Sequence, residues 1–188
     1  FPFLRTGQRY FVLFFRPWHI IENKYLTFIK AEQNLRLLIG RPTERNDAIG
    51  QFGEFLYCKL FGNYSLGILN QKGFDVINPI TNEKIQIKVA RKAKTNTAGI
   101  DVKLASIEMF DKLAIFWLSD DRKIKDFYEL TRHDVMEIVK VKKLKARKSV
   151  DIKLSDIDIR LVKRSRNKFI KAVEDHGLKG LVDSSWEI

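Results

Sequence analysis

Cysteine is nearly missing from this sequence: Cys58 is the only one in 188 residues. A disulfide within the chain is therefore excluded, and so is a cysteine-rich zinc centre. Histidine is scarce as well. His19, His133 and His176 lie too far apart in sequence for ligand-like spacing. Both shortages fit a reducing cytoplasm, which is the expected location. No run of about 18 apolar residues occurs, so no segment is expected to span a membrane. Acidic residues are few: 23 Asp and Glu stand against 35 Lys and Arg, a formal net charge of +12. That imbalance favours a polyanionic partner: DNA, RNA or an anionic membrane surface. Apolar residues are not short. At 45% of the chain they suffice for a buried core and argue against wholesale disorder.

The opening stretch, FPFLRTGQRYFVLFFRPWHII, is aromatic and apolar but interrupted by Arg5, Arg9 and Arg16. It has no small-residue cleavage site, so residues 1–21 read as an N-terminal extension of unknown role and not as a signal peptide. From Glu22 to Leu38 the apolar spacing predicts a helix, ended by Gly40 and Pro42. Thr43 then caps a second predicted helix, with Ile49, Phe52, Leu56 and Leu60 on one face and Gly62 as its stop. Gly50 and Gly53 inside it cost about 1 kcal/mol each relative to Ala, tolerable where a backbone or ligand comes close. Beyond it the pattern changes to period two. Strands are predicted over 74–79 and 84–90, joined by a turn at 81–83, and again over 112–118 and 125–130. Residues 91–103 read as a loop and 104–110 as a short helical turn. Thr131 and Asp134 form a capping-box start for a helix through Val139. A mixed α/β fold, with a central sheet flanked by helices, follows from this order. The simplest organisation is a core over 22–139 and a basic portion over 140–188 packed on the same domain.

The stretch GFDVINPITNEKIQIKVARK, residues 73–92, carries the chemistry. On the strand 84–90, Ile85, Ile87 and Val89 point one way, and Gln86 and Lys88 point the other, about 7 Å apart. Asp75 lies eleven positions before Gln86, across a tight turn, where strand pairing brings it beside both. A carboxylate, an amide oxygen and a lysine at one spot suit phosphodiester hydrolysis. The oxygens can hold a hard cation such as Mg²⁺, with Mn²⁺ as a substitute, and the lysine can orient a water or stabilise charge on the phosphorane.

These residues resemble the signature of the PD-(D/E)xK nuclease superfamily, the restriction endonuclease-like fold. In that pattern an Asp on one hairpin strand precedes an acidic-x-Lys triplet on the next. Here the positions are Asp75 and Gln86-Ile87-Lys88. Many members add a Glu on the preceding helix, and GQFGEFLYCKLFG supplies Glu54. The resemblance covers residues 45–130 and departs at two places: Gln86 stands where the triplet is acidic, and Phe74 where Pro precedes the Asp. It implies a metal-dependent DNA endonuclease of restriction or repair type. It also implies catalytic roles for Asp75, Gln86, Lys88 and Glu54, and a metal held by Asp75, Gln86, Glu54 and the Ile87 carbonyl. Asp47, two turns before Glu54, is a weaker candidate.

The charge is uneven. Residues 140–171 hold 13 Lys and Arg against three Asp. Lys140, Lys142, Lys143, Lys145, Arg147 and Lys148 are candidate phosphate contacts, and so are Arg91, Lys92 and Lys94 after the second strand. KRSRNK opens a predicted helix over 165–176, ended by Gly177. DNA is the expected partner ahead of RNA, no membrane partner is expected, and a homodimer is compatible with this reading. Phe116 and Trp117 read as core, Asp111 and His133 as capping or surface residues. Two alternatives stand beside the nuclease: a catalytically inactive nuclease fold kept as a binding module, and a basic RNA-binding protein.

Overall fold

A computed structural model of the chain describes residues 23–25, 27, 28, 30, 47–67, 73–91, 99–121, 123–142 and 148–183. The chain divides into two compact units, residues 1–45 and 46–188. In the first, Asn23, Lys24, Tyr25, Thr27, Phe28 and Lys30 are helical, as the spacing predicts. The extension at 1–21 and the phosphate candidates Lys92, Lys94, Lys143, Lys145 and Arg147 lie outside the described residues.

The second unit is a mixed α/β structure. Helix α1 (Asp47–Phe61) leads into β1 (Ser65–Leu66), β2 (Val76–Ile77) and β3 (Lys84–Arg91). β4 (Gly99–Lys103) and a 3₁₀ helix (Leu104–Met109) follow, then β5 (Lys112–Leu118) and β6 (Ile124–Thr131). Helix α2 (Arg132–Val141), β7 (Ser149–Lys153) and helix α3 (Ile159–Asp175) complete it. One sheet has five strands in the order β1-β2-β3-β5-β6, with β3 and β5 parallel and the other pairs antiparallel. β4 and β7 form a separate antiparallel pair.

β5 shows why its sequence is apolar throughout. Leu113, Ile115 and Trp117 enter one core together with Tyr128, Leu130, Val135 and Ile138, and with Ile100, Val102, Val150 and Ile152 of the small sheet. Phe116 faces the opposite layer, where its ring lies 4.9 Å from Phe127 and 6.2 Å from Phe169 of α3. A strand covered on both faces needs no polar side. Thr131 caps α2 by accepting from the Asp134 N–H, and Asp134 returns the bond to the Thr131 N–H at 2.7 Å. Ser165 of α3 reaches the edge of the sheet, accepting from the Glu129 N–H at 3.0 Å and donating to its carbonyl at 3.3 Å. Val182 forms a parallel bridge to Ile124, and Asp183 N donates to the Ile124 carbonyl at 2.9 Å.

Three expectations need correction. The loop at 91–103 contains β4, which pairs with β7 from the basic portion; GIDVK and SVDIK alternate, but each is only five residues long. The last helix begins at Ile159, not near 165, because Asp158 caps it by accepting from the Arg160 N–H at 2.7 Å. The strand predicted over 74–79 is reduced to Val76 and Ile77, since Pro79 and Ile80 already belong to the turn. β1 was not anticipated at all.

The two helix glycines differ. A Cβ on Gly53 would lie 2.3 Å from Val89 Cγ2, whereas one on Gly50 would meet nothing within 4 Å. Gly53 therefore sets how closely α1 approaches β3. Gly53→Ala should cost about 1–3 kcal/mol through overpacking. Gly50→Ala should stabilise by up to about 1 kcal/mol through helix propensity. Urea titrations of the two variants check this; equal effects of one sign would refute it.

Candidate active site

The hairpin turn fixes the register that assembles the site. Asn78 Oδ1 accepts from the N–H groups of Ile80 at 2.9 Å and Thr81 at 3.1 Å, and Asn78 N donates to the Glu83 carbonyl at 2.8 Å. Asn82 takes a positive φ of 60°, a conformation Asn tolerates better than most residues. Val76 then pairs with Ile85, which sets Asp75 opposite Gln86 on one face.

β2 begins just after Asp75, and Asp75 N still donates to the Ile85 carbonyl at 2.9 Å. Two residues on, the Ile87 N–H points to the same side, and the side chain of Asp75 receives it. Asp75 Oδ2 accepts from Ile87 N at 2.6 Å and from the Gln86 amide nitrogen. The Gln86 amide nitrogen also lies 3.4 Å from the Ile87 carbonyl. Burial pushes the Asp75 carboxyl up, while the Ile87 N–H and the Lys88 charge pull it back. Glu54, on α1, is pushed up to about 7, first by burial and then by the negative charge of Asp75. The Cys58 thiol, one turn along, is pushed up to about 12 by burial and by Glu54. It is therefore protonated and inert near neutral pH. Asp75 is the hub: Gln86 and Ile87 bond to it, Lys88 acts on its charge, and its charge in turn acts on Glu54.

Among the described residues, no group of three or more His, Cys, Asp and Glu gathers to hold a metal ion. The oxygens here are different in kind: the carboxylates of Asp75 and Glu54, linked through their charges, and the Ile87 carbonyl, while the Gln86 amide turns its nitrogen, not its oxygen, to Asp75 and Ile87. That set fits Mg²⁺, which is commonly held by one or two carboxylates and keeps several waters. The mutual repulsion of Glu54 and Asp75 in a poorly solvated place is what a cation would relieve.

The other candidates are placed as follows. Asp47 opens α1 and Arg91 ends β3. Asp111 bonds to Arg132 at 2.8 Å and accepts from Lys84 N at 2.9 Å, a structural clasp, and His133 is exposed on α2. Lys140 pairs with Glu137 at 2.6 Å, and Lys142 with Asp156 at 2.6 Å and with the Asp151 carbonyl. Lys142 is thus tied into the fold, while Lys148 is exposed. Charge counting assigns no role to the cations of α3; their spacing on one helix face is the signal. Among the described residues no helix is long and apolar enough to cross a membrane. Comparison with known proteins gives no family model that matches the chain and no curated protein with significant similarity to it.

Proposed function

We infer that the protein is a metal-dependent endonuclease that hydrolyses phosphodiester bonds in DNA. The observation that carries this reading is Asp75, whose carboxylate is held by the Ile87 N–H and the Gln86 amide, is acted on by the Lys88 charge and itself raises Glu54. The strand order β1-β2-β3-β5, with α1 against β3 and the parallel β3–β5 pair, supports a restriction endonuclease-like core. Asp75, Glu54 and the Ile87 carbonyl would hold Mg²⁺ or Mn²⁺, and Gln86 would join them by turning its amide so that the oxygen faces the ion. When bound, such an ion polarises the phosphate and lowers the pKa of a coordinated water. Asp75 keeps its position because two donors fix Oδ2, leaving Oδ1 for binding. Lys88 holds a water or a phosphate oxygen, and its ammonium offsets the charge that builds there.

Plasmid incubated with the protein and Mg²⁺ or Mn²⁺ should be nicked or linearised; no cleavage with either ion ends the reading. Lys88→Ala should lower turnover by about 10²-fold or more with metal affinity unchanged, because an ammonium cannot coordinate a cation. A second reading, a nuclease fold that binds without cutting, is favoured by Gln86, a neutral group in the triplet whose amide is engaged by Asp75. Gln86→Glu creating activity absent from the parent would support it.

Glu54 links this site to pH. Its carboxyl is raised from 4.5 to about 7 in the folded protein, so the folded state holds the proton more tightly than the unfolded chain. Without metal, the stability from this proton is full below pH 4.5 and is lost as pH rises through about 7. Glu54→Gln should therefore raise the melting temperature at pH 8 and leave it unchanged at pH 4. With Mg²⁺ at pH 8 the gain should shrink or reverse, because the ion stabilises only the ionised parent. Melting curves at both pH values, with and without Mg²⁺, decide it; a variant no more stable than the parent in metal-free pH 8 buffer refutes it.

A further inference from the structure

α3 divides its residues sharply around its axis. Val162, Ser165, Phe169, Ala172 and Val173 are buried. Arg160, Lys163, Arg164, Asn167 and Lys171 are all exposed. At 3.6 residues per turn these five fall within an arc of roughly 100° opposite Phe169. The other two cations of the helix are engaged within the fold. Arg166 meets Asp126 at 2.7 Å, and Lys168 meets Glu129 at 2.8 Å above the Phe61 ring. Arg160, Lys163, Arg164 and Lys171 make no ion pair among the described residues. Like charges three and four positions apart repel along a helix. Arg160 stands three and four positions from Lys163 and Arg164, so this end of the stripe works against its own helix until an outside anion neutralises it, while Lys171 has the acidic Glu174 and Asp175 three and four positions on.

Its dimensions and composition indicate which anion. From Arg160 to Lys171 the stripe runs about 16 Å at 1.5 Å per residue. That matches about five base-pair steps of duplex DNA. It has no aromatic side chain, so it offers no stacking platform for unpaired bases. A membrane-surface helix needs large apolar side chains beside its cations. On α3 the exposed large apolar residue is Ile159, at the first position and off the stripe. α3 also shares a layer with the helix that carries Glu54. Phe116 packs against Phe169 of α3, and a Cβ on Gly53 of α1 would sit 3.7 Å from the Phe116 ring.

We propose that the stripe Arg160, Lys163, Arg164 and Lys171 is the docking surface for the phosphate backbone of duplex DNA. The inference rests on the nuclease reading only for the identity of the substrate. Arg160 and Arg164 hold phosphate oxygens through guanidinium forks, and the lysines act as point charges. The contact is blind to sequence, since backbone contacts carry no base information directly.

Binding to a mixed-sequence duplex of about 25 base pairs, followed in EDTA over a range of salt, tests the surface without cleavage. The variant Arg160→Gln/Lys163→Gln/Arg164→Gln/Lys171→Gln should flatten the slope of log affinity against log salt by about 3.6, at 0.9 per lost contact. The charge-preserving variant Arg160→Lys/Lys163→Arg/Arg164→Lys/Lys171→Arg should retain the parental slope. The exposed pair Lys103→Gln/Lys125→Gln should hardly change it. Should the fourfold variant lose its melting transition, Arg164→Gln/Lys171→Gln carries the test with an expected flattening of about 1.8. An unchanged slope overturns the proposal, as does equal flattening per charge in the Lys103/Lys125 control. Tighter binding to phosphatidylserine vesicles or to duplex RNA of the same length also overturns it. Plasmid cleavage by the parent decides the nuclease reading separately. Cleavage with an unchanged slope removes the stripe alone, and a flattened slope without cleavage removes the nuclease alone.

Discussion

Asp75→Ala is expected to lower Mg²⁺-dependent cleavage by about a thousandfold or more and to leave metal-free DNA binding intact. Lewis-acid stabilisation by a bound cation is worth several kcal/mol, and each 1.36 kcal/mol is about tenfold in rate. Asp75 is the carboxylate bonded to the Gln86-Ile87-Lys88 triplet, its Oδ2 already fixed by Ile87 N at 2.6 Å and by Gln86. The substitution also leaves the Ile87 N–H without this acceptor, which should cost about 1–3 kcal/mol of stability. Asp75→Asn separates the two effects. Its amide oxygen can still accept the N–H, so the fold should be better preserved, yet the charge that binds the cation is gone. Both variants should therefore fail to cut, and the Asn variant should melt closer to the parent. Single-turnover cleavage with titrated Mg²⁺ is the measurement, and an Asp75→Ala protein that cuts at the parental rate would show this site to be wrong.

The second large effect is structural. Asp126 is 1% exposed in β6, and Arg166 of α3 grips it through two bonds, at 2.7 and 2.8 Å. Asp126 is buried but Arg166 is 43% exposed, so removing the guanidinium weakens the support of a buried charge at a cost of about 3 kcal/mol, the low end for a fully buried pair. Arg166→Ala should thus lower the melting temperature by on the order of 10 °C for a chain of this length. Arg166→Lys keeps the charge but loses the fork, and should recover only part of the loss. Replacing both partners, Asp126→Leu with Arg166→Met, should destabilise less than Arg166→Ala alone, because no buried charge is left. Thermal melts of the three proteins check the order. If Arg166→Ala melts with the parent, the pair is not what joins α3 to the sheet. Arg166 points away from the exposed stripe, so the same variant should leave the salt slope of DNA binding unchanged.

What could be read in advance follows from how each element is encoded. β5 was placed residue for residue because KLAIFWL is apolar throughout and is bounded by Asp111 and Ser119. α2 was legible from Thr131 and Asp134, whose side chains announce a helix start locally. The face shared by Asp75, Gln86 and Lys88 followed from strand alternation once the turn length was known. β4 and β7 were not legible, since each is stable only against the other, and half a hundred residues separate them. Ile100 and Val102 mean little in GIDVK until Val150 and Ile152 are laid against them. The start of α3 is hidden for another reason: its only signal is the single cap Asp158, and the dense run of Lys and Arg that follows carries charge but no mark of where a helix opens. In 140–148, charge alone did not reveal that Lys140 and Lys142 have acidic partners within the fold.

Ser165 has a consequence for association. A sheet can recruit a second chain only where a strand offers open N–H and C=O groups along its margin. At Glu129 the Ser165 hydroxyl occupies both groups, and at Ile124 the segment at Val182 and Asp183 lies along the same margin. At the far side the outermost strand is Ser65–Leu66, too short to serve as a template. Two copies of this unit would therefore not join by adding strand to strand on the five-stranded sheet. Ser165→Val should reopen the margin at Glu129 and leave a protein that associates more readily on mild heating.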